Sequence, residues 1–201
     1  MIIRDARPDE HASVGELRVS AYRALGLLAE GSGYAETLRG FGFAGHCTVI
    51  VAVDEADDGI LGTITLEPFE PSSELARDET EADIRACAVA SRAQGQGVGR
   101  TLLLAVMARA QERGLRRLRL CTLPAMRAAQ HLYEDTGFAR TPELDFPATP
   151  GLILRAYELD LPAGPLSRPP PGLNWPFRLP PPAEVSARPT FSVREVFEDA
   201  F

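Results

Sequence analysis

The sequence contains no lysine, and all 21 basic residues among its 201 positions are arginine. A phosphate-binding loop of the Walker A type requires a lysine, so this absence excludes proteins that bind nucleotides through such a loop. The net charge of −7 also argues against nucleic-acid binding, because proteins of that class usually carry a basic surface. The composition therefore predicts no nucleic-acid partner and favours small or cationic ligands.

Cysteine is scarce, and long apolar runs are absent. Cys47, Cys87 and Cys121 are odd in number, far apart and set in apolar runs, which is typical of reduced core thiols and not of a disulfide framework or a zinc site. No apolar run approaches the roughly 18 residues that a membrane span needs, and the N-terminal segment lacks the pattern of a signal peptide. We therefore expect a cytoplasmic protein with no metal site and no membrane contact.

Hydrophobic periodicity predicts a single α/β domain over residues 1–161. Runs of β-branched residues between turn residues predict strands, and apolar residues at helical spacing predict helices. The predicted strands are residues 2–6, 47–54, 60–67, 82–91, 116–122, 138–146 and 152–160, and the predicted helices are residues 8–30, 101–113 and 124–136. This order indicates a mixed central sheet of about seven strands flanked by helices.

The composition changes at Pro162. Ten prolines between Pro162 and Pro189 predict an extended strap without a core of its own. The sequence SVRE at 192–195 matches a capping box and predicts a short terminal helix. Apolar residues in the strap and in this helix predict that residues 162–201 dock on their own domain or on a second subunit.

Three glycines stand at alternate positions in the run CAVASRAQGQGVGRTLLL, residues 87–104. Each glycine weakens regular structure by roughly 1 kcal/mol, so the run requires a compensating interaction. The strand before it and the helix after it bring backbone N–H groups and a helix N-terminus to one point, which favours phosphate. Arg100 stands where a dinucleotide fingerprint needs its third glycine. The run therefore predicts a phosphate-binding turn of another kind, and a tight turn without a ligand is the alternative.

Two segments resemble a known family. Residues 94–99, QGQGVG, fit the Q/R-x-x-G-x-G/A motif of the GNAT N-acetyltransferase superfamily, and residues 129–138, AQHLYEDTGF, resemble its A-x-x-L-Y-E-x-x-G-F segment. The resemblance covers about residues 1–161 and implies the GNAT fold. It also implies direct transfer of an acetyl group from acetyl-CoA to a primary amine of a small molecule or peptide, within a ternary complex. An acyl-CoA-binding sensor without turnover is the alternative, and a homodimer is an option because family members often dimerise.

The resemblance assigns the acetyl-CoA site to two stretches of the chain. It places the pyrophosphate on the backbone of the glycine run and the pantetheine arm along the fourth predicted strand. The implied residues are Cys87, Ala88, Val89, Gln94, Gly95, Gln96, Gly97, Val98, Gly99, Arg100 and Thr101. Met126 departs from the pattern, since many members carry an asparagine there, and this puts one hydrogen bond to coenzyme A in question.

Acetyl transfer to an amine requires a polarised carbonyl, a proton for the leaving thiolate and a neutral amine. The resemblance implies the Val89 amide for the first role and the Tyr133 hydroxyl for the second, with a buried core tyrosine as the alternative. Asp83 lies six residues before Val89, and alternation along a strand puts both on one face, so Asp83 is a candidate base. A solvated carboxylate is the alternative for Asp83, and Glu67 is the other candidate base.

The resemblance places the acceptor amine between the first helices and the loops on the far side of the sheet. The predicted acceptor-binding residues are Tyr22, Tyr34 and Glu67, and the two tyrosines are equally compatible with core positions. Residues 67–83 contain seven acids and only one arginine. This segment either attracts a cationic amine or forms a solvated loop.

Overall fold

The computed structural model describes residues 1–28, 31–149 and 151–162. The predicted strap and terminal helix beyond Pro162 lie outside the described residues. The strands are β1 (Ile2–Asp5), β2 (Thr48–Val53), β3 (Ile60–Pro68), β4 (Glu81–Val89), β5 (Arg117–Thr122), β6 (Ala139–Arg140), β7 (Phe146–Thr149) and β8 (Leu152–Asp160). The helices are α1 (His11–Ala24), α2 (Tyr34–Gly40), α3 (Val98–Glu112) and α4 (Arg127–Asp135).

The described strands form one mixed sheet in the order β1-β2-β3-β4-β5-β8-β6, and β7 pairs with β8. Only the β4–β5 pair is parallel, and the helix α3 lies on the connection between these two strands. Parallel neighbours need such a crossover, because the chain must return to the same end of the sheet before the second strand begins. The predicted mixed sheet flanked by helices is therefore confirmed.

Helices cover both faces of the central strands. Alternate residues of β2 and β3 divide between these faces: Val49 and Val51 pack with Val14 of α1, while Ile50 and Ile64 belong to the main core with α3. A strand that is covered on both sides has no solvent-facing positions, and every residue of β2 is buried. This is why TVIVAV reads as a continuous apolar run and not as an alternating one.

The structure differs from the predicted elements at two places. The first helix ends at Ala24, and Gly26 follows with a φ of 69°, a left-handed conformation that interrupts a helix; α2 then forms a separate helix that the sequence analysis did not predict. The predicted strand 138–146 is divided by a 3-10 turn at Pro142–Leu144, because Pro142 lacks the N–H that a strand ladder needs. The sheet consequently has eight strands where about seven were predicted.

The parallel pair opens partway along its length. β4 and β5 are paired from Glu81 and Arg117 to Asp83 and Arg119 only, although both strands continue beyond these residues. In β4 the register against β3 shifts by one residue between Arg85 and Ala88, and Ala86 has a φ of 49°, which identifies a bulge. The bulge turns β4 away from β5 and leaves a gap in the middle of the sheet.

Among the described helices, none combines the length and the apolar character that a membrane span requires.

Candidate active site

A cavity lies in the gap between β4 and β5. Both strands contribute to its wall, together with α1, α2, α4, the turn before α4 and β8. The lining residues are Tyr22, Tyr34, Ile84, Arg85, Ala86, Cys87, Cys121, Thr122, Leu123, Met126, Tyr133 and Leu154. The structure therefore brings together three residues that the sequence analysis assigned to different parts of one site, namely Tyr22, Tyr34 and Tyr133.

The bulge decides which residues of β4 face which side of the sheet. Asp83 and Arg85 are in register with Glu67 and Thr65 of β3, on the face that α1 covers, whereas Val89 pairs with Gly62 and contacts the main core under α3. The prediction that Asp83 and Val89 share one face is wrong, because the extra residue at Ala86 reverses the alternation. We call the face of the sheet that α1 covers the acceptor side and the face under α3 the glycine-turn side. Because of the bulge, β4 presents Asp83 and Arg85 on the first face and Val89 on the second.

Tyr133 is positioned by α4 and lies deep in the cavity wall. Its side chain is 6% exposed, and its ring packs against those of Phe138 and Tyr157 at centroid distances of 6.0 and 5.9 Å. Burial raises the pKa of the Tyr133 phenol well above its usual value of 10.0, so the hydroxyl keeps its proton throughout the neutral range. Tyr133 therefore packs in the core, as the alternative predicted, and it also lines the cavity. Its catalytic role stays a prediction.

The glycine run forms a turn that leads directly into α3. Gly95 and Gly97 have φ angles of 75° and 80°, which explains why glycine stands at both positions. Gly97 is the N-cap of α3 and carries no side chain to cap it, and the first helical hydrogen bond runs from the Thr101 amide to the Gly97 carbonyl at 3.0 Å. The preceding amides of the first turn are therefore available to an anion.

The space around the turn fits a bulky anionic ligand. A Cβ atom at Gly95 or Gly97 would meet nothing within 4 Å, whereas one at Gly99 would contact Leu132 and Val89. Gln94, Gly95, Gln96, Gly97 and Arg100 are exposed, as a surface that receives phosphate groups must be. The third glycine thus lies against α4 and the end of β4, and its predicted contact with acetyl-CoA stays a prediction.

The three β4 residues assigned to the pantetheine arm follow the bulge. Cys87 lines the cavity, Val89 packs against the main core, and Ala88 is in register with Thr63 of β3. Burial raises the pKa of the Cys87 thiol to about 11 and that of the Cys121 thiol to about 12. Both thiols stay protonated near neutral pH, as the prediction of reduced core cysteines requires.

Asp83, the predicted base, is 0% exposed and is absent from the cavity lining. Its two carboxylate oxygens accept hydrogen bonds from the backbone amides of Leu75 at 3.2 Å and Ala76 at 2.9 Å. Burial is the main cause that raises the pKa of Asp83 to about 7. The alternative of a solvated carboxylate is wrong. These contacts give Asp83 the role of an anchor that ties residues 69–80 to the sheet.

The acidic segment is not a solvated loop, because much of its charge is buried and paired. Glu81 lies 2.6 Å from the guanidinium of Arg119, which also donates to the Leu75 carbonyl at 2.7 Å. The Glu67 side chain is also buried, and it lies outside the cavity lining. Glu67 is instead hydrogen-bonded to Arg85, which does line the cavity.

Arg85 was not predicted from the sequence. Its Nη1 atom lies 3.1 Å from Glu67 and 3.5 Å from Glu74, and its guanidinium carbon lies 4.9 Å from the centroid of the Phe41 ring. Burial alone would lower the pKa of Arg85, but Glu74 and Glu67 outweigh it and raise the pKa. The sequence feature that could have identified Arg85 is its position two residues after Asp83 in the otherwise apolar strand ADIRACAV.

Arg18 of α1 is a second charged residue that the sequence analysis missed. It is 0% exposed and donates to the Phe41 carbonyl at 2.6 Å and to the Thr65 hydroxyl at 2.9 Å. Burial lowers the pKa of Arg18 to about 10, which still leaves it charged at neutral pH. Neutral groups therefore hold a positive charge behind the acceptor side of the cavity.

Met126, the predicted departure from the family pattern, also lines the cavity. The hydroxyl of Thr122 donates to its sulfur at 3.6 Å. The Gln130 amide donates to the carbonyls of Leu123 and Pro124 at 2.9 and 3.0 Å. These bonds hold the turn between β5 and α4.

No cluster of three His, Cys, Asp or Glu side chains suited to a metal ion occurs in the part of the chain that the structure describes.

The comparisons with known proteins identify the class of protein that this fold and cavity define. It is an acyltransferase: the chain belongs to the Acetyltransferase (GNAT) family, whose family model matches residues 16–138. No curated protein has a significant match to the sequence.

Solved structures agree with the family at the level of the fold. A GNAT acetyltransferase from Staphylococcus aureus Mu50 is 19% identical with a TM-score of 0.65 and covers 80% of this chain and 99% of its own. A ribosomal-protein-alanine N-acetyltransferase from Brucella melitensis is 21% identical with a TM-score of 0.58 and covers 80% and 100%. The GNAT fold expected from the sequence is confirmed, whereas the homodimer and the cytoplasmic location stay predictions.

Proposed function

We propose that the protein is an acetyl-CoA-dependent N-acetyltransferase that transfers the acetyl group directly to a primary amine. One observation carries this proposal: the Tyr133 phenol lines a cavity in the gap between β4 and β5, and β4 leads from that gap to the glycine turn at the start of α3. A thioester whose phosphates contact the turn has its reactive end directed along β4 toward the tyrosine. Membership of the GNAT family supports the same reaction class.

The glycine turn supplies the first contact of acetyl-CoA. The amides at the start of α3 and the partial positive charge of the helix N-terminus attract the pyrophosphate. Left-handed glycines at positions 95 and 97 let the backbone approach the phosphates without a side chain in between. This contact does not depend on the net charge of −7, because distant charges are largely screened at physiological ionic strength.

Tyr133 supplies the proton in the reaction. The neutral amine nitrogen attacks the thioester carbonyl, the new C–N bond forms, the C–S bond breaks, and the phenol protonates the leaving thiolate. The nitrogen, which is positively charged after the attack, loses one proton to water. The phenolate then regains a proton from solvent. Burial keeps the phenol protonated near neutral pH, so the proton that the thiolate needs is present before the reaction, and a placed acid contributes roughly 10² to 10⁴ in rate.

The amine enters the reaction as the free base. Among the described residues that line the cavity there is no carboxylate, and both oxygens of Asp83 are engaged with loop amides. The proton of the amine therefore passes to water before attack. Polarisation of the carbonyl is assigned to the backbone of β4 at the bulge, with the Val89 amide as the group that the family resemblance indicates.

The test measures release of free thiol from acetyl-CoA with a panel of primary amines and identifies the acetylated amine by mass spectrometry. We expect release that depends on the amine and is strongly reduced in Tyr133→Phe. Binding of acetyl-CoA by calorimetry, combined with no release for any amine, would instead indicate an acyl-CoA-binding module without turnover.

A further inference from the structure

The acceptor side of the cavity has an unusual charge pattern. Of the twelve described residues that line the cavity, Arg85 is the only charged one, and none is acidic. The acids nearby are Glu67, Glu74 and Asp83, and none of them belongs to the lining. A ligand in the cavity therefore meets a guanidinium and the side chains of three tyrosines, but no carboxylate.

Arg85 faces the acceptor side and not the glycine turn. It is in register with Thr65 of β3, whose hydroxyl is hydrogen-bonded to Arg18 of α1. The residues that contact α3 lie on the opposite face, since a Cβ at Gly62 would lie 3.0 Å from Leu102 and Val98. A group bound to Arg85 would thus belong to the acceptor and not to acetyl-CoA.

The Arg85 guanidinium is fixed in place but not saturated. Only Nη1 donates a hydrogen bond to a described residue, Glu67, and Glu74 approaches the same nitrogen. Neither Nε nor Nη2 is among the buried nitrogens that lack a partner in the described residues, and Arg85 lines the cavity. A guanidinium held at one nitrogen and stacked on Phe41 presents its other edge as a preorganised fork for a carboxylate.

Arg18 reinforces the preference for a negative group. Its charge lies behind the same wall and is held by carbonyl and hydroxyl oxygens and by the face of the Phe43 ring. Its Nε atom has no hydrogen-bond partner. Because charges interact strongly where water is excluded, this second cation offsets part of the negative charge that Glu67 and Glu74 place beside Arg85.

We propose that the acceptor is a primary amine that also carries a carboxylate close to the amine, and that Arg85 binds this carboxylate. The apolar and aromatic lining includes Tyr22, Tyr34 and Leu154. It fits a compact apolar side chain on the carbon atom that carries the amine and the carboxylate. A free apolar α-amino acid has this chemistry. The proposal rests on the proposed N-acetyltransferase activity, and acetyl transfer follows the bond changes given above, with the carboxylate unchanged.

The experiment compares three amines that share a side chain: L-phenylalanine, L-phenylalaninamide and phenethylamine. Thiol release from acetyl-CoA by the full-length protein gives kcat/KM for each. We expect the acid to exceed the other two by about 10- to 100-fold, the range for a charged hydrogen-bonded pair. The carboxamide has the less basic amine, so amine basicity cannot produce this order. Equal or better kcat/KM for the carboxamide would overturn the proposal.

Variants at position 85 locate the preference. We expect Arg85→Gln to remove most of the advantage of the acid through a higher KM, and Arg85→Lys to keep part of it, because lysine retains the charge without the fork. Arg116→Gln, at an exposed arginine before β5, is the matched control and should keep the full preference. An unchanged preference in Arg85→Gln would overturn the assignment to this residue. The comparison of the three amines on the wild-type protein stands even where a variant folds poorly.

Calorimetry separates failure of this proposal from failure of the proposed function. The protein loaded with coenzyme A is titrated with the acid and with the carboxamide. Binding of the acid that depends on Arg85, without thiol release, refutes the transferase function and keeps the carboxylate site. Thiol release without preference for the acid refutes the carboxylate site alone, and so does failure of the acid to bind.

Discussion

The backbone amide of Ala76 donates a hydrogen bond of 2.9 Å to Oδ1 of Asp83. This bond and the neighbouring one from Leu75 attach the acidic segment to the strand that opens the sheet. The same segment carries Glu74, which lies 3.5 Å from Arg85. A buried carboxylate that supports a loop thus also helps to fix the one charged side chain of the cavity wall.

Asp83 should make the stability of the protein depend on pH. Burial raises its pKa in the folded chain from 3.8 to about 7. Between these values the unfolded chain has lost the proton that the folded chain retains, so the free energy of unfolding falls as the pH rises from about 4 to 7. We expect Asp83→Asn to flatten this decline in urea unfolding measured across the window. Asp9→Asn, at an exposed position, should leave the decline intact; an identical slope in wild type and Asp83→Asn would contradict the expectation.

The same Asp83→Asn variant distinguishes an anchor from a base. Because Asp83 is outside the cavity lining and its oxygens are engaged, we expect thiol release per folded molecule to stay within about fivefold of wild type, well short of the loss of roughly 10² that removal of a base produces. The measurement is kcat at several pH values on protein whose folded fraction is known. A loss of 10² or more with an altered pH profile would restore Asp83 as the base.

Tyr133→Phe should lower kcat by roughly 10² to 10⁴ while affinity for acetyl-CoA is kept, because only the proton donor is removed. The matched control is Tyr157→Phe. Tyr157 packs against Tyr133 at 5.9 Å, donates to Glu134 at 3.2 Å and is absent from the cavity lining. Its replacement should cost about 1 kcal/mol of stability with little change in kcat. Equal kcat values for the two variants would remove Tyr133 from the chemistry.

Gly97→Asp should weaken acetyl-CoA binding, because it adds a side chain and a negative charge at the start of α3. Gly114→Asp is a suitable control. The φ of Gly114, 73°, is close to the 80° of Gly97, and a Cβ at either residue meets nothing within 4 Å. Both replacements incur the same left-handed strain of about 1 kcal/mol. Calorimetry should show loss of affinity for Gly97→Asp only, and equal affinities for the two variants would place the phosphate site elsewhere.

Gly15→Ala should destabilise the protein although alanine favours helices by about 1 kcal/mol. A Cβ at Gly15 in α1 would lie 2.8 Å from the backbone of Arg39 in α2, so the two helices must move apart at a cost of about 1 to 3 kcal/mol. Gly40→Ala is the control in α2, where a Cβ meets nothing within 4 Å. Thermal unfolding should show a lower Tm for the first variant and an unchanged or higher Tm for the second. A raised Tm for Gly15→Ala would refute the close approach.

Much of the glycine-turn side could be predicted from the sequence because it depends on residues close together in the chain. The strand, Gly95 and Gly97 with positive φ, and α3 follow one another within about 30 residues, and each is fixed by local propensity and capping. The helix that carries Tyr133 and ends before Gly137 was predicted in the same way, whereas the catalytic role of Tyr133 came from the family resemblance. Acetyl-CoA was inferred as the ligand from the family resemblance. The local pattern alone indicates only that the turn binds an anion.

Local sequence patterns thus predicted most of the strands and helices, although not α2, together with the glycine turn. Which side chains form the cavity was decided only by tertiary contacts. The bulge at Ala86 exchanges the faces on which the later residues of β4 lie. No local sequence pattern predicts it, because an inserted residue is defined only by the pairing of β4 with β3. Arg18, Glu67 and Arg85 come from α1, β3 and β4, separated by as many as 67 residues in the chain. Their contacts exist only after the strands have taken their register, because a shift of one residue exchanges the faces of a strand.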